Sequence, residues 1–532
     1  MTLSAPRAVI DDGLLRPVSH LELPLEDGER WWGGCVDDGR HMPFGVLPFA
    51  RDLGTPEPDA DDPFQGRPSN QSAPLLLSTS GRVVWSDEPF SFAIRDGSLH
   101  VAGSDLSSYA AGSDLRDAFI AASRRHFPPS GTSPASELFS GPQYNTWIEQ
   151  PYRPTQESTL AYAKGVLEAG MPPGVLFIDD SWSPDYGTLE FDAARFPDPA
   201  AMVTQLHQWG FRVMLWLVPF VSPDSATFRE LEGANLLVRG HDGRTAVRRW
   251  WNGLSALLDA SNAQTVEWLT GKLDRLVRDV GVDGFKFDGG DVRDYRADDL
   301  TAGGVSPVEH CEAWAAIGLR YPFNEYRACW RMGGQPLAQR LQDKPPTWDA
   351  NGIGSLIPEM LAQGMIGHPF ICPDMIGGGE IGAVSRTAID QEFFVRYAQI
   401  AALSPMAQFS IAPHRVLDAV HLEAVKSALA LRERLLPRLL DLVQHAAVTG
   451  EPILRPMAYH CADAADVVDQ FFIGADIVAA PIVHPGATTR TVFVPAGRWV
   501  TGDGERVSGP GTLTVPVDLA TIPILVRDGR DD

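Results

Sequence analysis

GVLFIDD (174–180), AAMVTQLHQWG (200–210), FRVMLWLVPF (211–220), TVEWLTGKLDRLVRDVG (265–281) and VDGFKFD (282–288) follow one another as strand, helix, strand, helix and strand. NTWIEQ (145–150) with TLAYAKGVLEAG (159–170) adds a further unit in front. Short apolar runs alternating with segments of helical spacing imply parallel strands joined by helices. Such a sheet either closes into a barrel or winds doubly, and no Gly-rich phosphate turn follows any of the strands, which disfavours the open sheet. The expected fold is therefore α/β, a (β/α)8 TIM barrel. Its strands end in polar or aromatic residues: Asp179 and Asp180, Trp216, Asp288, Asp374. Barrel enzymes carry their chemistry at the carboxyl ends of the strands.

The flanks read differently. PLLLSTSGRVVW (74–85) and FSFAIRDGSLHVAG (90–103) are β-rich, the second with an Arg-Asp-Gly turn, and 52–74 is a polar, Pro-rich stretch without periodicity. HLEAVKSALALRERLLPRLLDLVQHAAVTG (421–450) reads as a long amphipathic helix ending at Gly450. QFFIGADIVAAPIV (470–483), RTVFVPAG (490–497), GTLTVPV (511–517) and TIPILVR (521–527) return to short strands. The expected organisation is an N-terminal β-sandwich (1–136), a barrel with its closing helix (137–447) and a C-terminal β-sandwich (448–532).

Composition narrows the function. A net charge of −24 repels phosphates, so neither nucleic acid nor an anionic membrane surface is an expected partner. No apolar run reaches the ~18–20 residues of a membrane span. The five cysteines are scattered and never form C-x-x-C, which argues against a disulfide framework and a zinc site. MTLSAPRAVIDDGLLRPVSH (1–20) has no basic stretch followed by an apolar one, so a cytoplasmic location is expected. G-x-S-x-G, H-E-x-x-H and phosphate-loop motifs are absent, and the reading implies no metal and no cofactor. A homo-oligomer is left open.

Asp288 stands where GVDGFKFD turns at Gly289-Gly290, with Lys286 two residues earlier on the same strand face. A nearby ammonium keeps a carboxylate ionised, as a nucleophile requires; a loop Asp capping the next segment is the plain alternative. GVDGFKFDGGD (281–291) resembles the nucleophile segment of glycoside hydrolase family 31, and the likeness runs along the chain. LLLSTSGRVVWSDEPFSFAI (75–94) is similar to that family's N-terminal sandwich, 177–221 to its second and third barrel units, and 450–483 with VFVPAGRWV (492–500) to its C-terminal sandwich. VRRWWNGLSALLD (247–259), FKFDGGD (285–291) and LIPEMLAQGMIGHPFICPDMIGG (356–378) most resemble the branch containing myogenesis-regulating glycosidase and bacterial α-galactosidases.

The resemblance implies a retaining α-glycosidase acting on a small carbohydrate, with galactosides preferred. α-Glucosidase, α-xylosidase, sulfoquinovosidase and transglycosylase are alternatives on the same site, and a catalytically silent carbohydrate-binding protein is the alternative of another class. It makes Asp288 the nucleophile. The family's usual general acid, a Gly-Asp after a Trp, is missing. QRLQDKPPTWDANG (339–352) resembles the branch's Arg-x-x-Asp segment instead, which implies Asp343 as acid/base, with Asp349 a rival because it follows Trp348. A retaining pair needs carboxyls about 5–5.5 Å apart, one ionised and one protonated. The same resemblance implies substrate contacts from Asp179, Asp180 and Asp374, aromatic faces from Trp147, Trp216 and Trp251, and donors from Arg327 and Arg340, which bind hydroxyls or hold the acid. Core packing is the plain reading of each Trp. Where many members carry an Arg and a His, SPMAQFSIAPH (404–414) offers Gln408 and Ser410.

Overall fold

The computed structural model describes residues 18–54, 70–385 and 387–529. Most of the N-terminal stretch read for a leader, and residues 55–69 of the polar segment 52–74, lie outside the described residues.

The barrel strands are β1 (Gln143–Asn145), β2 (Val175–Ile178), β3 (Arg212–Leu217), β4 (Gly284–Phe287), β5 (Phe323–Tyr326), β6 (Gln339–Arg340), β7 (Ile371–Cys372) and β8 (Gln408–Phe409). They lie side by side in chain order, every pairing parallel, with β8 beside β1. Closure between β7 and β8 comes from the Ile376–Phe409 bridge and from Met406 N–H donating to the Ile371 carbonyl at 3.1 Å. The all-apolar run Val175–Ile178 is fully buried, as a strand covered on both faces must be.

The helices around the barrel begin where the sequence supplies capping groups. Thr155 and Ser158 form a capping box at Gln156–Glu168, and Ser306 with Glu309 does the same for Pro307–Ile317, which also has proline in its first turn. Asp198 and Asp390 cap Pro199–Gln208 and Gln391–Ala402. The long helix spans Ala419–Thr449 and stops at Gly450, whose φ of 77° is the left-handed stop that glycine accommodates. Arg432 on this helix donates into the barrel floor, to the carbonyls of Phe139, Ser404 and Pro405.

Two connections depart from strand-helix regularity. After β3 the chain builds a small antiparallel sheet from Phe220–Val221, Val247–Trp250 and Gly253–Leu257, with an apolar cluster that includes Trp216, Phe220, Trp250 and Tyr295. Between β5 and β6 there is no helix. Cys329–Trp330 instead pairs in parallel with Gln71–Ser78 of the N-terminal unit.

Antiparallel strands make up both flanking sandwiches. In the N-terminal one, Ser98–Ala110, thirteen residues long, pairs with Val18–Pro24, Phe90–Arg95 and Arg82–Trp85. The C-terminal sheet has six strands and its own core around Phe472, Val478 and Trp499.

Candidate active site

Asp288 directly follows β4, at the carboxyl end of the barrel, and is buried. Its Oδ2 accepts a hydrogen bond from Trp216 Nε1 at 2.8 Å, its Oδ1 one from Gly289 N–H at 2.9 Å, and Arg327 Nε lies 2.8 Å from Oδ1. Burial alone would raise the carboxyl's pKa. The charges of Arg327, Lys286 and Arg340 and the Trp216 bond outweigh it and hold the group well below the usual carboxylate range. The glycine turn is a steric requirement. Gly289 and Gly290 have φ of 61° and 70°, and a Cβ at Gly290 would lie 2.4 Å from the Trp314 ring.

Lys286 acts on Asp288 only through space. Its Nζ donates to Asp179 Oδ2 at 2.7 Å, both groups buried, so the cation in contact with Asp288 is Arg327. Arg327 Nη2 also donates to Asp291 at 3.1 Å, and the guanidinium lies 4.9 Å from the Trp251 ring centroid, within cation–π range.

A second carboxylate group gathers around Arg340 at the end of β6. Arg340 Nη1 donates to Asp343 Oδ1 at 3.0 Å and to Asp374 Oδ1 at 2.8 Å, and Nε lies 3.3 Å from Glu325. Of the two arginines, Arg340 contacts Asp343, whereas Arg327 contacts Asp288, a pairing that the sequence reading did not include. The Asp343 side chain is 30% exposed and Asp374 is fully buried. Asp374 also accepts from the amides of Lys344 and Gly379, so it braces the loops around Asp343. Burial, then the neighbouring Asp343 carboxylate, raises the Asp374 pKa against the pull of Arg340. A Cβ at Gly379 would meet Asp374 Oδ1 and Met375 Cε at 2.8 Å and Asp343 Oδ1 at 2.9 Å, so a larger residue there would have to displace both carboxylates. The Gly379 carbonyl accepts from Trp147 Nε1 at 2.8 Å, which fixes Trp147 beside the pair.

Asp349 serves a surface turn. It is exposed, and its Oδ1 accepts from Thr347 and from the amides of Asn351 and Gly352, a turn just before helix Ile353–Met365. Trp348 donates to Asp390 at 2.8 Å.

The third part of the site follows β2. Asp180 accepts from Tyr186 at 3.0 Å, Ser181 at 3.1 Å and Asn252 Nδ2 at 2.6 Å, and Tyr152 donates to Asn252 at 3.0 Å. Burial, then the charge of Asp179, pushes Asp180 up to about 7 against these bonds. Trp251 and Asn252 are the two turn residues of the Val247–Trp250/Gly253–Leu257 hairpin. That hairpin therefore carries Trp251 to Arg327 and Asn252 to Asp180. A cavity of about 550 Å³ adjoins this side and shares Tyr152, Tyr186 and Trp216 with it.

Sequence reasoning missed Glu325, Asn252, Tyr186 and Tyr152. Glu325 lies in register with Lys286 across β4 and β5 and accepts from Gln408 Nε2 at 2.7 Å; burial raises its pKa against the charges of Lys286 and Arg340. Gln408 also bonds Gln143 and Asn145, and Ser410 donates to the Ile376 carbonyl, so both residues are spent inside the barrel. The available signal for Glu325 was a carboxylate within the short strand Phe323–Tyr326, where a buried charge needs a partner. Among the described residues no three His, Cys, Asp or Glu side chains converge as metal ligands would.

Residues 140–331 match the glycosyl hydrolases family 31 TIM-barrel domain, and residues 450–530 the family 31 C-terminal domain. The chain is 35% identical over 426 residues to myogenesis-regulating glycosidase of Mus musculus, covering 77% of this chain and 59% of that protein. It is 27% identical over 456 residues to 1,3-alpha-isomaltosidase of Kribbella flavida, covering 74% and 61%. It thus spans about three fifths of the length of these relatives. A sulfoquinovosidase from E. rectale, solved with an aza-sugar inhibitor, has the same fold, with a TM-score of 0.83 at 18% identity over 96% of this chain and 83% of that one. Barrel, flanking sandwiches and domain matches agree, and the chain belongs to glycoside hydrolase family 31.

Proposed function

We propose that this chain is a retaining exo-α-glycosidase that hydrolyses small α-glycosides through a covalent glycosyl-enzyme, with Asp288 as nucleophile and Asp343 as acid/base. The observation that carries the reading is the contrast between the two carboxyl groups. Asp288 is buried and held ionised by Arg327, Trp216 and the Gly289 amide, as an attacking group must be. Asp343 stands partly open on the loop after β6, where a proton can reach a leaving group. In the first half-reaction an Asp288 oxygen bonds the anomeric carbon as the glycosidic C–O bond breaks, and the Asp343 proton goes to the departing oxygen. In the second, Asp343 takes a proton from water, whose oxygen displaces Asp288 from the same carbon.

On this reading the barrel, residues 137–447, is the catalytic unit, supported by 1–136 and 448–532. Trp147, Trp216 and Trp251 supply ring faces for the sugar, and Arg327 and Arg340 fix the two carboxylates. α-Galactosides are the preferred substrates. Support comes from the resemblance of 247–259 and 356–378 to the α-galactosidase branch, and from Gln408 and Ser410 being committed inside the barrel. Reading of the sugar 4-hydroxyl then falls to Asp179, Asp180 and Trp251. A site built to bond one hydroxyl rejects its epimer strongly, because buried polar groups are left unpaired. The test is kcat/KM for aryl α-galactoside, α-glucoside, α-xyloside and sulfoquinovoside. Galactoside is expected to lead. Another winner overturns the specificity, and no turnover of any overturns the catalytic reading.

A further inference from the structure

We propose that Gln71, on the N-terminal sandwich, is a positioning residue that sets both active-site arginines from outside the barrel. The inference rests on the proposed function for its catalytic consequences. Gln71 is buried on the strand Gln71–Ser78, and its side-chain amide reaches two barrel carbonyls at once. Nε2 donates to the carbonyl of Arg340 at 2.7 Å and to that of Arg327 at 3.1 Å. Its Oε1 accepts from Gln363 Nε2 at 2.7 Å, on the helix Ile353–Met365 that follows the Asp343 loop. One side chain therefore ties together the backbones of the residues whose guanidiniums hold Asp288 on one side and Asp343 with Asp374 on the other.

The backbone around Gln71 supports the same assignment. Between β5 and β6 the barrel has no covering helix, and the N-terminal strand takes that place. Cys329 pairs with Gln71 in register, Cys329 N–H donates to the Asn70 carbonyl at 2.8 Å, and Arg331 N–H to the Ser72 carbonyl at 3.2 Å. The segment leaving Arg327 is thus an added strand of the N-terminal sheet. An arginine whose backbone is fixed on both sides loses fewer rotamers when it grips a carboxylate, so the electrostatic field at Asp288 is set before substrate arrives. A residue that only filled space would need neither the amide donors nor their aim. Methionine has nearly the same shape and no donor, so it separates the two roles.

The experiment compares Gln71→Met with Leu76→Ala, a cavity mutation five residues along the same strand at a fully buried position that pairs with Gly33 and Val84. For Gln71→Met, kcat on aryl α-galactoside is expected to fall roughly tenfold or more with KM changed much less, because misplaced groups cost the transition state rather than ground-state binding. The acidic limb of its kcat/KM profile is expected to move up by roughly half a pH unit or more as Arg327 loosens from Asp288. Leu76→Ala is expected to lower Tm without moving that limb. Wild-type kcat and limb in Gln71→Met, or an equal limb shift in Leu76→Ala, overturn the proposal. Should Gln71→Met not fold, Gln363→Met removes the donor that orients Gln71, and the same shifts at smaller size are expected; their absence overturns it. Should the wild-type chain turn over no glycoside, the functional reading falls, and amide hydrogen exchange decides the anchoring alone. Faster exchange confined to 327–331 and 339–343 in Gln71→Met supports it, and unchanged exchange there overturns it.

Discussion

At Asp288, two donors and one cation meet a buried carboxylate: Trp216 Nε1 and the Gly289 amide donate hydrogen bonds, and the Arg327 guanidinium forms an ion pair. Replacing it with Asn keeps the size and removes the nucleophile. On the proposed mechanism Asp288→Asn still folds, at a lowered Tm because Arg327 loses its partner, and loses turnover by a factor of at least ~10³; near-wild-type turnover in a folded mutant would remove Asp288 from the mechanism. Asp343 and Asp349 separate by leaving group. Asp343→Ala is expected to cripple hydrolysis of poor leaving groups far more than of activated aryl glycosides, with azide rescuing the latter as a glycosyl azide of retained configuration. Asp349→Ala is expected to stay within about twofold of wild type, since its carboxylate serves a turn. The reverse pattern in the two mutants would transfer the role.

On the proposed function, the hairpin Val247–Trp250/Gly253–Leu257 is the element that shapes the sugar side. Its two-residue turn puts Trp251 over Arg327 and Asn252 on Asp180, so one turn touches both ends of the site. Removing Asn252 leaves the buried Asp180 short of a bond, and removing Asp180 leaves the half-buried Asn252 without its acceptor. Asp180→Ala and Asn252→Ala are each expected to lower kcat/KM for aryl α-galactoside by roughly 10- to 100-fold and to narrow its lead over α-glucoside. A uniform loss across all sugars would show that these residues only support the loop. Trp251 is legible in the sequence as an aromatic that the resemblance places near the site, whereas Asn252 carries no such mark. Nothing local says that a turn falls at Trp251 and Asn252 or that it points into the barrel mouth; an Asn-Gly pair alone would put the turn one residue later, at 252–253, whereas Gly253 pairs with Trp250.

Over the whole molecule, Glu451 is a junction. Its carboxylate meets Arg116 Nε at 2.7 Å, His445 at 3.1 Å, Tyr459 at 3.3 Å and Arg455 at 3.5 Å, tying the N-terminal helix Leu115–His126 and the long helix to the start of the C-terminal unit. Burial would raise its pKa, yet Arg116, Arg455 and His445 depress it to about 2 from an ordinary 4.5. A depressed carboxylate stabilises the fold above its unfolded value and loses that contribution as pH falls toward the folded one. Between pH 5 and pH 2, Tm of the wild type is therefore expected to fall more steeply than that of Glu451→Gln; parallel curves would refute the linkage. The barrel as a whole was legible because strand and helix rhythms are local. Its interior was not. β6, β7 and β8 are two residues each, too short to show a period, and the Gln408–Glu325–Arg340 chain joins residues far apart in sequence.

The central claim is a covalent bond between the sugar and Asp288. Incubation with a 5-fluoro-α-galactosyl fluoride slows breakdown of the intermediate more than its formation, so the adduct accumulates. Intact mass followed by peptide mapping then locates it. The account predicts one added 5-fluorogalactosyl group on the peptide containing GVDGFKFDGGD, at Asp288, and none on the Asp288→Asn protein. Label on Asp343, Asp349 or another residue, or turnover of aryl α-galactoside that releases the β-anomer first, would contradict it.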